Sequence, residues 1–410
     1  MRIIVSNFTV LFFLSLNAHA LVGVDALINS MQKNNQHVLS LEKNIESKQA
    51  LSDSLNSAYY PTLNAVGGYG HNKTDDLPTV QQGYLGYIEG KLNIFNGFKD
   101  QSLAQQNDIE LEISKIELES KKRELRLELT DILSQMILLH KVQAILGDEY
   151  KVTQTQKKMA SKKVSAGLTG SVDNLEFELR ENEIQIEQKQ IEQQHLEAHQ
   201  KLIKIFGENI NDSMLEKIDF SLSSGLMKTS NHLNIENNLD YKKIKLAQVK
   251  TELEKTEIKS DFLPTLDFTY SMGRITPSEE APAKFNESKY AIQLTIPLFS
   301  GFDTYYKTHS ASASILAFEK IKSQKLNDIS SDFNILKTKI SEMSALYQIN
   351  EKKLAGSQKY FDLTLSEYKR GVKNSPDLVS ATERLFSAQK KKYEILKELE
   401  ISKVKIENYN

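Results

Sequence analysis

The chain contains no cysteine, so it can form no disulfide, thiolate metal site, cysteine nucleophile or lipid-anchoring thiol. Proline is scarce, seven in 410 residues and mostly in two clusters, which leaves room for very long uninterrupted helices. Charge of either sign is not in excess: 52 basic against 54 acidic residues give a formal net charge of −2. Bulk electrostatics therefore argue against a nucleic-acid partner. Past the first twenty positions, no stretch approaches the roughly 20 consecutive apolar residues of a membrane-spanning helix. Phosphate-binding loops, dinucleotide fingerprints and nucleophile elbows are missing as well. His195 and His199 lie four apart near Glu192, but without a metalloprotease order or further ligands they read as a solvated helix face. No metal site, cofactor or enzymatic activity is expected, and any energy source must come from a partner.

What the chain does contain is one three-part phrase used twice, the copies separated by about 204 residues. The first copy is Tyr60-Pro61-Thr62-Leu63, Phe95-Asn96-Gly97-Phe98, then Ser165-Ala166-Gly167 with Asp173 beyond it. The second is Leu263-Pro264-Thr265-Leu266, Phe299-Ser300-Gly301-Phe302, then Lys369-Arg370-Gly371 with Asp377 beyond it. Such a recurrence marks one structural unit used twice.

Residues 1–20 read as a secretory signal peptide: Arg2, an apolar run through Val10–Leu14, and an Ala18-His19-Ala20 cleavage site. Repeat 1 spans 21–206, with a helix, a β-hairpin at about 62–95, a long helix 98–166 and a return helix 172–206. A linker at 207–232, placed near the rods' midpoint, leads to repeat 2 at 233–410. That repeat has a helix, a hairpin at about 265–298, a long helix 302–370 and a return helix 376–409.

The strands alternate with period two. Tyr84, Ile88, Leu92 and Ile94 share one face, against Tyr87, Glu89, Lys91 and Asn93; Gly67 to Gly83 reads as strand end plus loop. In the second copy Leu266, Phe268, Tyr270 and Met272, with Tyr290, Ile292, Leu294 and Ile296, form an apolar face. Strands of about ten residues with one apolar face match transmembrane barrel strands. In the long helices, Leu111, Leu118, Leu125, Leu129, Ile132, Met136 and Leu139 form a coiled-coil seam, as do Leu326, Ile329, Phe333, Leu336, Ile340, Met343 and Tyr347. Some 68 residues of helix make a rod of roughly 100 Å.

Four strands cannot close a barrel, and an open edge is untenable in lipid. The smallest single-chain barrels have about eight strands, so the chain must oligomerise. With these features, the paired Pro-hairpin-Phe-x-Gly-Phe units, long helices and glycine turns resemble the TolC-like outer-membrane efflux and secretion channel family over essentially the whole mature chain. The resemblance implies a mixed α and transmembrane β fold: a homotrimer with a 12-stranded barrel, four strands per chain, continuous with a coiled-coil periplasmic tunnel. It also implies an outer-membrane location and export of substrate with a periplasmic adaptor (membrane fusion) protein and an inner-membrane transporter, in tripartite efflux or type I secretion.

The resemblance also assigns site residues. Val164, Gly167, Leu168, Gly371 and Val372 match the family's periplasmic tips, which adaptors contact. Asp173, Tyr368 and Lys373 match an entrance gate, with lysine in place of the usual arginine, so a bidentate fork is lost. Asp377 matches an acidic pore ring that favours cations. The simpler reading of Asp173 and Asp377 is helix capping, and of Gly167 and Gly371, tolerance of positive φ. The rival readings of the chain are a periplasmic adaptor, which would show one helical hairpin between compact β domains, and a structural coiled-coil protein, which leaves the apolar-faced hairpins without a role.

Overall fold

The structure is a computed structural model and describes residues 24–72, 81–206, 233–278 and 287–409. The expected signal peptide and the linker at 207–232 lie outside the described residues, as do segments 73–80 and 279–286.

In chain order the elements are α1 (Val24–Asn34), α2 (Gln36–Asn56), β1 (Thr62–Asn72), β2 (Gln81–Asn96), α3 (Lys99–Ser165), α4 (Val172–Phe206), α5 (Leu239–Ser260), β3 (Thr265–Ser278), β4 (Glu287–Thr295), α6 (Asp303–Lys369) and α7 (Ser375–Glu407). The two long helices, α3 and α6, have 67 residues each. The chain divides into two compact units. One comprises Met1–Asn35, Glu128–Ser224 and Leu346–Ile401; the other comprises Gln36–Leu127, Gly225–Ala345 and Ser402–Asn410. The first holds both glycine turns and is called the turn unit; the second holds the strands and is called the sheet unit.

In the sheet unit the strands form one antiparallel sheet in the order β1-β2-β3-β4. Residues that face each other across strands share a side of the sheet. One side carries the rows Leu63–Gly90–Tyr270–Tyr290 and Leu92–Phe268–Ile292; the other carries Asn64–Glu89–Ser271–Lys289 and Asn93–Asp267–Gln293. On the polar side Asn93 Nδ2 donates to Asp267 Oδ1 at 3.0 Å. The apolar side is not covered by the other described residues: Leu63 is 75% exposed and Tyr290 77%. The strands run further than the sequence suggests, since β1 continues to Asn72 and β2 starts at Gln81. The expected strict alternation also fails at Ile94. A register irregularity between Asn93 and Phe95 pairs Phe95, not Ile94, with Leu266, because a bulge places an extra residue on one strand.

Each hairpin hands the chain to a long helix through two consecutive left-handed residues: Gly97 (φ 70°) and Phe98 (67°), then Gly301 (66°) and Phe302 (65°). The left-handed region costs a phenylalanine roughly 1–2 kcal/mol. Edge-to-face contacts, Phe95 on Phe98 at 5.1 Å and Phe299 on Phe302 at 5.4 Å, offset part of this, about 0.5–1.5 kcal/mol per pair. Only the first turn is also crowded. A Cβ on Gly97 would lie 2.7 Å from the Ser260 carbonyl oxygen, whereas one on Gly301 would meet nothing within 4 Å.

The helical seams are buried at Leu111, Leu125, Ile329 and Phe333 in the sheet unit and at Leu129, Ile132 and Leu139 in the turn unit. A carboxylate on α3 ties two helices together in each unit. In the sheet unit Glu110 accepts from Lys48 of α2 and Lys250 of α5. In the turn unit Glu149, fully buried, accepts from Arg180 of α4, with Lys390 Nζ of α7 at 3.6 Å.

Gly97→Ala should lower the yield of folded protein far more than Gly301→Ala, which meets backbone strain alone; equal losses would contradict the crowding at Ser260. The hydrogen bonds from Lys250, then Lys48, pull Glu110 from 4.5 down to about 2. A depressed carboxyl contributes its stability above the unfolded value and loses it as pH falls through the folded one. Glu110→Gln should therefore melt earlier than the unaltered chain at pH 6, and the gap should close as pH falls toward 2. A gap independent of pH would contradict this.

Candidate functional site

The residues singled out from the sequence gather at the two glycine turns of the turn unit. Both turns close in the same way. At the end of α3, Leu168 N–H donates to Lys163 O at 2.9 Å and Gly167 N–H to Val164 O at 2.9 Å. At the end of α6, Val372 N–H donates to Glu367 O at 3.0 Å and Gly371 N–H to Tyr368 O at 3.1 Å. This is the Schellman arrangement, which needs a left-handed residue after the helix; Gly167 (φ 70°) and Gly371 (φ 83°) supply it. A consequence is that the next side chain is thrown outward. Leu168 is 72% exposed and Val372 69%, while Val164 is half-buried. Helix α7 then restarts with Asn374 Oδ1 accepting from Asp377 N–H at 3.1 Å, an ordinary N-terminal cap.

Beneath the turns, Phe177 of α4 and Tyr368 of α6 pack edge to face at 6.0 Å. They sit in a core with Ala160, Phe361, Leu378, Ala381 and Leu385. Tyr368 is fully buried, and its Oη has no hydrogen-bond partner among the described residues. Burial, and secondarily the Asp173 carboxylate, push its phenol up to about 12.

The three expected gate residues stand close but do not bond to one another among the described residues. Asp173 Oδ1 accepts from Ser375 Oγ at 2.7 Å. Lys373 Nζ lies 3.6 Å from Asp377 Oδ2. The cation on Tyr368 is Lys163, which donates to the Tyr368 carbonyl and lies 4.0 Å from the ring centroid. Lys163 and Ser375 thus join the two turns, and the sequence reading had singled out neither. Lys163 looks like any other lysine of a solvated helix flank. The one signal for Ser375 was its place at a helix start before Pro376.

Comparison with known proteins bears on this arrangement. Residues 27–208 match the family model described as outer membrane efflux protein. No curated protein sequence matches. Among solved structures, a membrane protein from Pseudomonas aeruginosa is similar with a TM-score of 0.82 at 15% identity, over 94% of this chain and 93% of that one. The outer membrane protein VceC from Vibrio cholerae is similar at 0.81 and 11%, over 94% and 95%. The Campylobacter jejuni CmeC outer membrane channel is similar at 0.78 and 12%, over 94% and 85%. The resemblance to TolC-like outer-membrane efflux channels therefore holds in sequence over the first repeat and in fold over both.

Removing the unpaired Tyr368 hydroxyl should relieve a desolvation cost of about 1–3 kcal/mol. Tyr368→Phe is expected to melt no earlier than the unaltered chain. Ser375→Ala strips a hydrogen bond from a carboxylate and should cost about 1.5–3 kcal/mol. Thermal unfolding followed by circular dichroism checks both, and the reverse order would contradict these contacts.

Proposed function

We propose that the chain is a passive outer-membrane channel that exports substrate across the periplasm and outer membrane. The observation that carries this reading is the open four-stranded sheet. Among the described residues its two outer strands, β1 and β4, have partners on one side only, and one of its faces is apolar and exposed. In lipid the apolar face is an asset and the unpaired edges are forbidden, so copies must join β1 to β4. Three copies give twelve strands, within the range of closed barrels. A second set of uncovered apolar residues supports association of helices. On α4, Val172, Leu175, Leu179 and Ile186 are exposed at three-, four- and seven-residue intervals, and on α6, Leu346, Ile349 and Leu363. Such spacing suits coiled-coil packing.

In this reading the helices form a periplasmic tunnel, and the turns at Gly167 and Gly371 stand at its inner end. Leu168 and Val372, with Val164 behind the first, are the docking tips for an adaptor that links the channel to an inner-membrane transporter. Tripartite efflux and type I secretion both use such a chain of parts. Asp173, Tyr368 and Lys373 remain the proposed gate, acting through Ser375, Lys163 and Asp377. The adaptor alternative is disfavoured because two hairpin-and-helix units are present and the apolar sheet face would stand in water.

The protein should fractionate with the outer membrane and, once purified in detergent, produce discrete conductance steps in planar bilayers. Recovery in the soluble periplasmic fraction would overturn the proposal.

A further inference from the structure

On the proposal that the turns ring the tunnel entrance, we infer that this entrance favours anionic over cationic substrates. Each turn joins the C-terminus of one helix to the N-terminus of the next, so backbone partial charges of roughly −0.5 and +0.5 cancel there. Side chains then set the local field. The last turn of α3 carries Lys162 and Lys163, and the end of α6 carries Lys369 followed by Arg370. Lys162, Lys369 and Arg370 are exposed, and none has an ion-pair partner among the described residues.

The acids nearest the turns in the sequence are Asp173, Glu367 and Asp377. Asp377, expected from the family pattern to make a cation-favouring ring, has Lys373 Nζ 3.6 Å from its Oδ2. Both side chains are well exposed, 40% and 37%, so the pair adds little stability. Its electrostatic effect does not depend on that strength, because to an ion several ångströms away the two charges sum to nearly nothing. Asp173 and Glu367 are outnumbered by the four cations at the helix ends. Repeated by each copy of the chain, the excess makes a positive collar. Polyanionic or carboxylate-bearing substrates would gather at it, and cations would be repelled.

The test is the reversal potential of the purified channel in a planar bilayer under a KCl gradient. Chloride should be preferred over potassium by the unaltered protein, more at 0.1 M than at 1 M salt, since the screening length falls from ~10 Å to ~3 Å. Lys369→Glu combined with Arg370→Glu should invert the preference. Lys373→Ala, which leaves Asp377 unopposed, should shift the permeability ratio several-fold toward potassium; Lys162→Gln should shift it less and in the same direction. A potassium-preferring wild type, or a reversal potential unmoved by all three variants, would overturn the inference while leaving the channel reading intact. Absence of any conductance would overturn the channel reading, and this inference with it.

Discussion

In the proposed membrane setting the structure turns on one constraint: a backbone N–H or C=O in hydrocarbon must have a partner. Each unsatisfied group costs several kcal/mol there, and an open strand edge carries a row of them. A sheet of four strands with the order β1-β2-β3-β4 satisfies its interior and leaves both rims open. The chain therefore carries an unfinished sheet, which in the proposed channel another copy completes. The uncovered apolar residues of α4 and α6 are incomplete in the same sense. They follow coiled-coil spacing and stand exposed among the described residues.

Duplication supplies matched parts, and local sequence then makes them unlike. The two 67-residue helices are equal in length, and both are entered through a left-handed Gly-Phe pair and left through a Schellman turn. Yet Gly97 is wedged against Ser260 while Gly301 is open. The contacts that join the two turns are asymmetric too: Lys163 from the first repeat reaches Tyr368 in the second, and Ser375 reaches back to Asp173. Carboxylate bridges occur on α3, at the half-buried Glu110 and the buried Glu149. The equal positions in the second repeat do not reproduce them, since Ser314 and Lys353 stand there.

The sheet and the long helices were legible in the sequence because their periods are strong and long. A seam such as Leu326–Ile329–Phe333 repeats often enough to fix a face, and the two-residue alternation around Tyr270 does the same for β3. Ile94 misled because a bulge adds one residue without a glycine or proline to mark it. At the turns, the motif gave the positions of Asp173, Tyr368 and Lys373, and Gly167 and Gly371 follow from the need for positive φ. Their partners were not legible. Lys163 and Tyr368 are far apart in sequence, and nothing local distinguishes this lysine from Lys162 beside it. The pairing of Lys373 with Asp377 was within reach, since four-residue spacing near a helix start brings opposite charges together. Reading Asp377 alone as an acidic ring missed it.

The central claim is that β1 of one copy pairs with β4 of the next. The cysteine-free chain allows a direct measurement, because cysteines introduced at Asn64 of β1 and Lys289 of β4, or at their near neighbours, are the only thiols present. Mild oxidation of the protein in its native membrane should link copies into a ladder that ends at the trimer, and neither single-cysteine variant should form it. A chain that stays monomeric across a scan of β1–β4 pairs, while remaining folded in the membrane, would contradict the account.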